Sequence, residues 1–149
     1  MILPDLPIEE ADAWLTAAQH VGLHTVFVVA PSTTDARLAH ICAAASGMLY
    51  APAVAGVTGS TSPLHGALPA FVQRLRAATD LPIGVGIGIS TPAQAPIVSR
   101  IADVTIVGSV LIRTMDAAHG PRQQADATVN LARTLSARLR RPDTPRAAA

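Results

Sequence analysis

The feature that most constrains this chain is an alternation. Short runs of β-branched and apolar residues are separated by segments whose apolar residues recur at helical spacing. A strand, a crossover helix and the next strand in this order give parallel pairing and right-handed crossovers. Residues 25–30 form a continuous run, Thr25-Val26-Phe27-Val28-Val29-Ala30, as expected of a strand covered on both faces. Residues 48–54 read as a second strand, although Pro52 interrupts it. Residues 82–87 give a third, running into a glycine-rich turn, and residues 104–107 the last. The fold class is therefore α/β. Two architectures fit the pattern: a doubly wound open sheet, or part of a barrel.

The helical segments carry their own punctuation. Residues 6–21 open with Glu9, Glu10 and Asp12, acids that suit the positive end of a helix dipole. Ile8, Ala11, Leu15, Ala18 and Val21 follow at helical spacing, and Gly22 ends the segment. Pro31 stops the first strand. Ser32, with Asp35 three residues on, resembles a capping box with Asp in place of Glu. Leu38, Ile41, Cys42 and Ala45 then mark an inner face, and Leu68, Phe71, Val72 and Leu75 another. Thr91-Pro92 is a helix start with Pro at the first helical position, while Pro96 removes an early hydrogen bond. Residues 122–141 predict a longer helix with Ala125, Val129, Ala132, Leu135 and Leu139 inside and Arg138, Arg140 and Arg141 at its C-terminal end. The expected organisation is one domain over residues 1–141 and a disordered tail over 142–149.

Composition narrows the chemistry. Half of the 149 residues are hydrophobic but only 3% are aromatic, so the core must be built from Ala, Val, Leu and Ile. A formal net charge of +1 points to neither nucleic acid nor an anionic membrane surface. The apolar runs are far shorter than a membrane span requires. All eleven basic residues are Arg. Without Lys, the chain can form no lysine Schiff base and has no P-loop lysine. Cys42 is the only cysteine, which excludes an internal disulfide and fits a cytoplasmic setting. The first residues, Met1-Ile2-Leu3-Pro4-Asp5, lack the basic and apolar regions of a signal peptide.

Three glycine-bearing turns each follow a strand: Gly56-Val57-Thr58-Gly59, Gly86-Ile87-Gly88-Ile89-Ser90 and Gly108-Ser109. Glycine permits positive φ and close approach of a ligand to the backbone. N–H groups at the start of a following helix make an anion site. Any one of these turns alone is most simply an ordinary strand-to-helix connection. Two consecutive late turns followed by a short extra helix match the phosphate grip of many (β/α) barrels. Other candidates carry less. His20 and His24 are four apart, but Gly22 lies between them, which favours surface histidines over a metal pair. His65 reads as a polar loop residue and Cys42 as a small core residue. Ser60, Thr61 and Ser62 have no matched His/Asp pair.

Read in order, Pro4-Asp5-Leu6-Pro7-Ile8-Glu9-Glu10, Val28-Val29-Ala30-Pro31, Ala55-Gly56-Val57-Thr58-Gly59, Gly86-Ile87-Gly88-Ile89-Ser90-Thr91-Pro92 and Val107-Gly108-Ser109-Val110 resemble successive motifs of tryptophan synthase alpha chains across residues 3–115. The resemblance implies the C-terminal half of a (β/α)8 TIM-type barrel, with strands five to eight, their helices and a remnant of the fourth. It implies retro-aldol cleavage of indole-3-glycerol phosphate to indole and glyceraldehyde 3-phosphate. It also implies a beta subunit, carrying pyridoxal phosphate, as partner; this chain itself would hold no cofactor. Gly59, Gly88, Gly108 and Ser109 match the family's phosphate-contacting residues. Tyr50 matches a tyrosine near the reacting centre, and Thr58 a threonine in a loop that closes over substrate. Ile87 stands where many members have Phe, which reshapes the indole pocket.

The family's general acid/base Glu and indole-binding Asp precede the region that these 149 residues match, so neither catalytic group has a counterpart here. Glu9 and Glu10 match a helix after the fourth strand and read as solvated helix-start acids. Asp5 aligns with an Asp near the barrel mouth, with a structural or subunit-contact role. The resemblance thus implies a chain inactive alone, to be completed by a first half. The alternatives are another phosphate-gripping barrel, aldolase-like or an amino-acid-biosynthetic isomerase, and a non-catalytic chain that binds only phosphate or a partner.

Overall fold

The computed structural model describes residues 1–53, 66–86, 88–89 and 91–139. Five parallel strands follow one another in chain order. Strand β1 (Ile2–Leu3) pairs with β2 (Val26–Phe27), and β3 (Leu49–Pro52), β4 (Ile83–Gly86) and β5 (Val104–Thr105) pair in sequence. A bridge between Val28 and Tyr50, with the Val29 N–H donating to the Tyr50 carbonyl at 2.9 Å, joins the two sets. Helices α1 (Asp12–His20), α2 (Asp35–Ala44), α3 (Leu68–Ala78) and α4 (Gln94–Ser99) connect successive strands. Helices α5 (Ser109–Asp116) and α6 (Pro121–Leu139) follow β5.

The pleat gives the sheet two faces. Leu49, Ala51, Ile83 and Val85 point one way and are fully buried, packed with Leu38 and Ile41 of α2, Phe71, Val72 and Leu75 of α3, and Val98 of α4. The opposite face carries Ile2, Val26, Val28, Met48, Tyr50, Gly84, Gly86 and Val104 by register. Here β4 has glycine at both inner positions. A Cβ on Gly84 would lie 2.9 Å from Met48 Sδ, and one on Gly86 would lie 2.6 and 2.8 Å from Tyr50 ring carbons. The side chains of Met48, just before β3, and Tyr50 therefore lie over the two glycines of β4. At the two outer strands the face is open, with Ile2 41% and Val104 38% exposed.

Polar groups tie the ends together. The Trp14 indole N–H donates to Thr25 Oγ1 at 3.1 Å, and the Thr25 N–H donates to Ser46 Oγ at 3.0 Å. Asp103 Oδ2 accepts from the Ile83 N–H at 3.0 Å and pairs with Arg76 at 3.1 Å, fixing the start of β4 to α3.

Several boundaries differ from the sequence pattern. The helix expected over 6–21 is split into a 3-10 turn, Ile8–Glu10, and α1, with fully buried Ala11 at the joint. Val21, expected inside, lies beyond the helix end and is 71% exposed. The strand expected over 25–30 curls after Val29, because Thr33 Oγ1 accepts from the Ala30 N–H while the Thr33 N–H donates to the Ala30 carbonyl. Pro52 sits within β3 without harm. Leu49 and Ala53 donate toward β4, so the proline nitrogen faces β2, whose pairing has ended at Tyr50.

The cap of α2 is Thr34, whose hydroxyl accepts from the Arg37 N–H, and not Ser32. Helix α4 starts at Gln94, two residues after Pro92; Gln94 Oε1 accepts from the Thr91 N–H. The last strand is Val104–Thr105, shorter than 104–107. On α6 the stripe Ala125, Val129 and Ala132 is exposed. Leu135 and Leu139 pack against the core as expected, joined by Leu131, where the helix meets α4 and α5. The tail and the last two residues of the expected domain, 140–149, lie outside the described residues.

Candidate active-site mouth

In a parallel (β/α) arrangement ligands meet the C-terminal ends of the strands. At that end β4 leads through Gly86 to Gly88, and β5 leads to Gly108 and Ser109. The two strands are neighbours, paired Gly84 to Val104 and Val85 to Thr105, so both turns leave the same end of the sheet side by side. Gly88 has φ +98, a conformation that L side chains adopt at a cost, and it is buried. The turn itself therefore demands glycine there.

Gly108 is different. It caps α5 with φ −123 and ψ −74, neither helical nor extended, and a Cβ built on it meets nothing within 4 Å. The space a side chain would fill lies at the start of α5. The carbonyl of Gly108 accepts from the Leu111 N–H at 2.9 Å, so the helix is closed from its first turn. Its leading N–H groups have no intrahelical acceptor and make a positive, donor-rich end. Ser109 is the first residue of α5 and is half-buried.

Tyr50 is placed by β3 on the inner face and is 9% exposed, its ring resting on Gly86. Gly88, Gly108, Ser109 and Tyr50 thus stand on three adjacent strands or the turns leaving them. Thr58 and Gly59, together with Ile87, His65 and the run Ser60 to Ser62, lie outside the described residues. Asp5 is exposed in the turn after β1. Glu9 is not simply solvated: it pairs with Arg37 of α2 at 2.9 Å. His20 ends α1 and His24 lies past Gly22, both exposed. Cys42 packs against the core, and burial pushes its thiol up despite a hydrogen bond with Thr79 that pulls the other way. A cavity of about 500 Å³ between α1 and α2, lined by Leu15, His24, Thr25 and Ser46, opens at the opposite end of the strands from this mouth.

Two features escaped the sequence reading. The contact of Tyr50 with Gly86 could have been suspected from the spacing of Gly84 and Gly86, since alternate glycines in a strand mark close approach from one face. The grip of Arg74 on the turn after β2, described below, left no signal among eleven arginines.

Parallel strands in chain order, helices packed on one face and an open inner face define one part of a (β/α)8 barrel. Comparison with known proteins narrows the class. The tryptophan synthase alpha chain family matches residues 1–140, and the chain belongs to that family. It is 45% identical to the tryptophan synthase alpha chain of Streptomyces avermitilis over 95% of its own length and 51% of the relative's. With the Streptomyces coelicolor alpha chain it shares 49% identity over 76% of its length and 42% of the relative's. Among solved structures, a Mycobacterium tuberculosis tryptophan synthase superposes with a TM-score of 0.80 at 38% identity, covering 95% of this chain and 51% of that one. The Legionella pneumophila alpha chain does so with 0.78 at 32%, covering 93% and 50%. The chain spans about half the length of the relatives it matches. Among the described residues no helix is long and apolar enough to cross a membrane.

Proposed function

We propose that this chain supplies the phosphate-gripping half of a tryptophan synthase alpha-type site in the cytoplasm. The substrate is indole-3-glycerol phosphate, and the reaction is its retro-aldol cleavage to indole and glyceraldehyde 3-phosphate. The observation that carries the reading is Gly108, where a Cβ meets nothing within 4 Å: it opens on the start of α5, on the strand next to the one that leads to the positive-φ turn at Gly88. Gly59, Gly88, Gly108 and Ser109 hold the phosphate, while Tyr50 and Thr58 face the rest of the substrate.

Binding of this kind is not catalysis. A phosphate grip holds ground state and transition state about equally and cannot by itself raise the chemical rate. Proton transfer at the indole and glycerol groups needs a positioned carboxylate, worth about 10²- to 10⁴-fold. Asp5 is the acid at the end of β1, and Glu9 is engaged with Arg37 on the outer rim. The catalytic Glu and Asp come from the barrel's first half, and indole passes to a beta subunit.

Calorimetry with glycerol phosphate tests the site. The chain should bind it, and Gly108→Val, which fills the open space at α5, should abolish binding. Equal affinity in both proteins, or none in either, removes the reading. For activity, indole release should occur only when a separately expressed first half is added. Turnover by the chain alone, lost in Asp5→Asn, would make Asp5 the catalyst instead.

A further inference from the structure

Arg74 stands on α3, outside the residues assigned to the site. Its Nε donates to Asp35 Oδ1 at 2.8 Å, its Nη1 to the Pro31 carbonyl at 3.1 Å, and its Nη2 to the Thr33 carbonyl. One guanidinium thus holds three acceptors on the turn that links β2 to α2. The turn closes on itself through Ala30 and Thr33, and Val29, just before it, donates to the Tyr50 carbonyl. The turn's other side, Ser32 to Thr34, lines a cavity of about 300 Å³ beneath the Leu6-Pro7-Ile8 segment.

We propose that Arg74 is a positioning residue for the mouth: by gripping the β2–α2 turn from α3, it fixes the end of β2 and so the strand position of Tyr50. The ion pair alone would not do this. The Asp35 side chain is 89% exposed, and a solvated pair contributes little. Two backbone carbonyls bound to a charged, planar fork are stronger and directional. A lysine carries the same charge but cannot span three acceptors in one plane. The proposal deepens the reading above and rests on it only in taking Tyr50 to face substrate; the tether itself is independent of any ligand.

The test compares the chain with Arg74→Lys, Arg74→Met and Asp35→Asn. Amide exchange at Ala30 and Thr33 reports the turn, exchange at Ile83 reports global stability, and the ultraviolet spectrum of Tyr50, the single tyrosine, reports its surroundings. Both Arg74 variants should speed exchange at Ala30 and Thr33 by about tenfold or more, as loss of charge-assisted bonds implies. Ile83 should change little and the Tyr50 spectrum should shift, while Asp35→Asn keeps the turn protected. Full rescue by Arg74→Lys, or loss of protection in Asp35→Asn as large as in Arg74→Met, would reduce Arg74 to an ion pair and overturn the proposal. An unshifted Tyr50 spectrum with a loosened turn would overturn the link to the mouth. If Arg74→Met does not fold, Arg74→Lys carries the test. Glycerol phosphate binding, measured separately, decides the phosphate site and leaves this result standing.

Discussion

Gly86 shows how one absent methyl group can set the position of an aromatic ring. Gly86→Ala would drive a Cβ into the Tyr50 ring at 2.6 and 2.8 Å, so the ring or the strand must move. The expected cost is about 1–3 kcal/mol by urea denaturation. Tyr50→Phe should give only part of the relief, because it removes the hydroxyl, the nearest atom, and leaves the clashing ring carbons, whereas Tyr50→Ala should make the pair markedly non-additive. Thr25→Val removes the acceptor of the Trp14 indole N–H and the expected loss is about 1–3 kcal/mol. Trp14 is the only tryptophan, so its fluorescence follows the same transition. The Cys42 thiol is held above its ordinary value by burial. Only the thiolate is alkylated, so at a given pH less of Cys42 is reactive, and its pH–rate profile should lie on the alkaline side of free cysteine. A profile coincident with free cysteine would contradict that burial effect.

At the scale of elements, α6 separates pattern from packing. Its expected inner face holds at Leu135 and Leu139 and fails at Ala125, Val129 and Ala132, which are exposed. The structure buries Leu135 and leaves Val129 47% exposed. Leu135→Ala should cost about 2–5 kcal/mol, while Val129→Ala should stay within about 0.5 kcal/mol. Comparable losses in urea denaturation would mean that α6 is rotated. The elements themselves were legible wherever periodicity was strong: Leu68, Phe71, Val72 and Leu75 are all buried on α3, as their spacing implies. What was not legible was anything decided by a distant partner. The cap at Thr34 in place of Ser32 depends on how the turn after β2 folds back, and how much of the α6 face is covered depends on where α4 and α5 lie. At the site, glycine turns and family motifs pointed to Gly88 and Gly108. Their surroundings differ, a buried positive-φ turn at one and open space at the start of a helix at the other, and only coordinates separate the two.

At the scale of the whole molecule, β1 and β5 each have one paired neighbour among the described residues, and apolar residues at both ends of the inner face are exposed. Unpaired edges beside apolar surface favour association. The 149-residue chain in dilute solution should sediment as more than a monomer, or do so once a complementary first half is supplied. A monodisperse, cooperatively unfolding monomer, unchanged by that half, would count against this.

The order of the strands has a further consequence. Because β1 to β5 lie side by side in the order in which they occur, each new strand finds its partner already next to it. The loops to be closed are single crossovers, and no late segment has to thread between earlier ones. Each pairing then waits on the closure of one crossover only, which keeps contact order low for a parallel sheet. The Val28–Tyr50 bridge is the seam in that order: without β3, β1 and β2 form only a two-residue ladder, too small to stand alone.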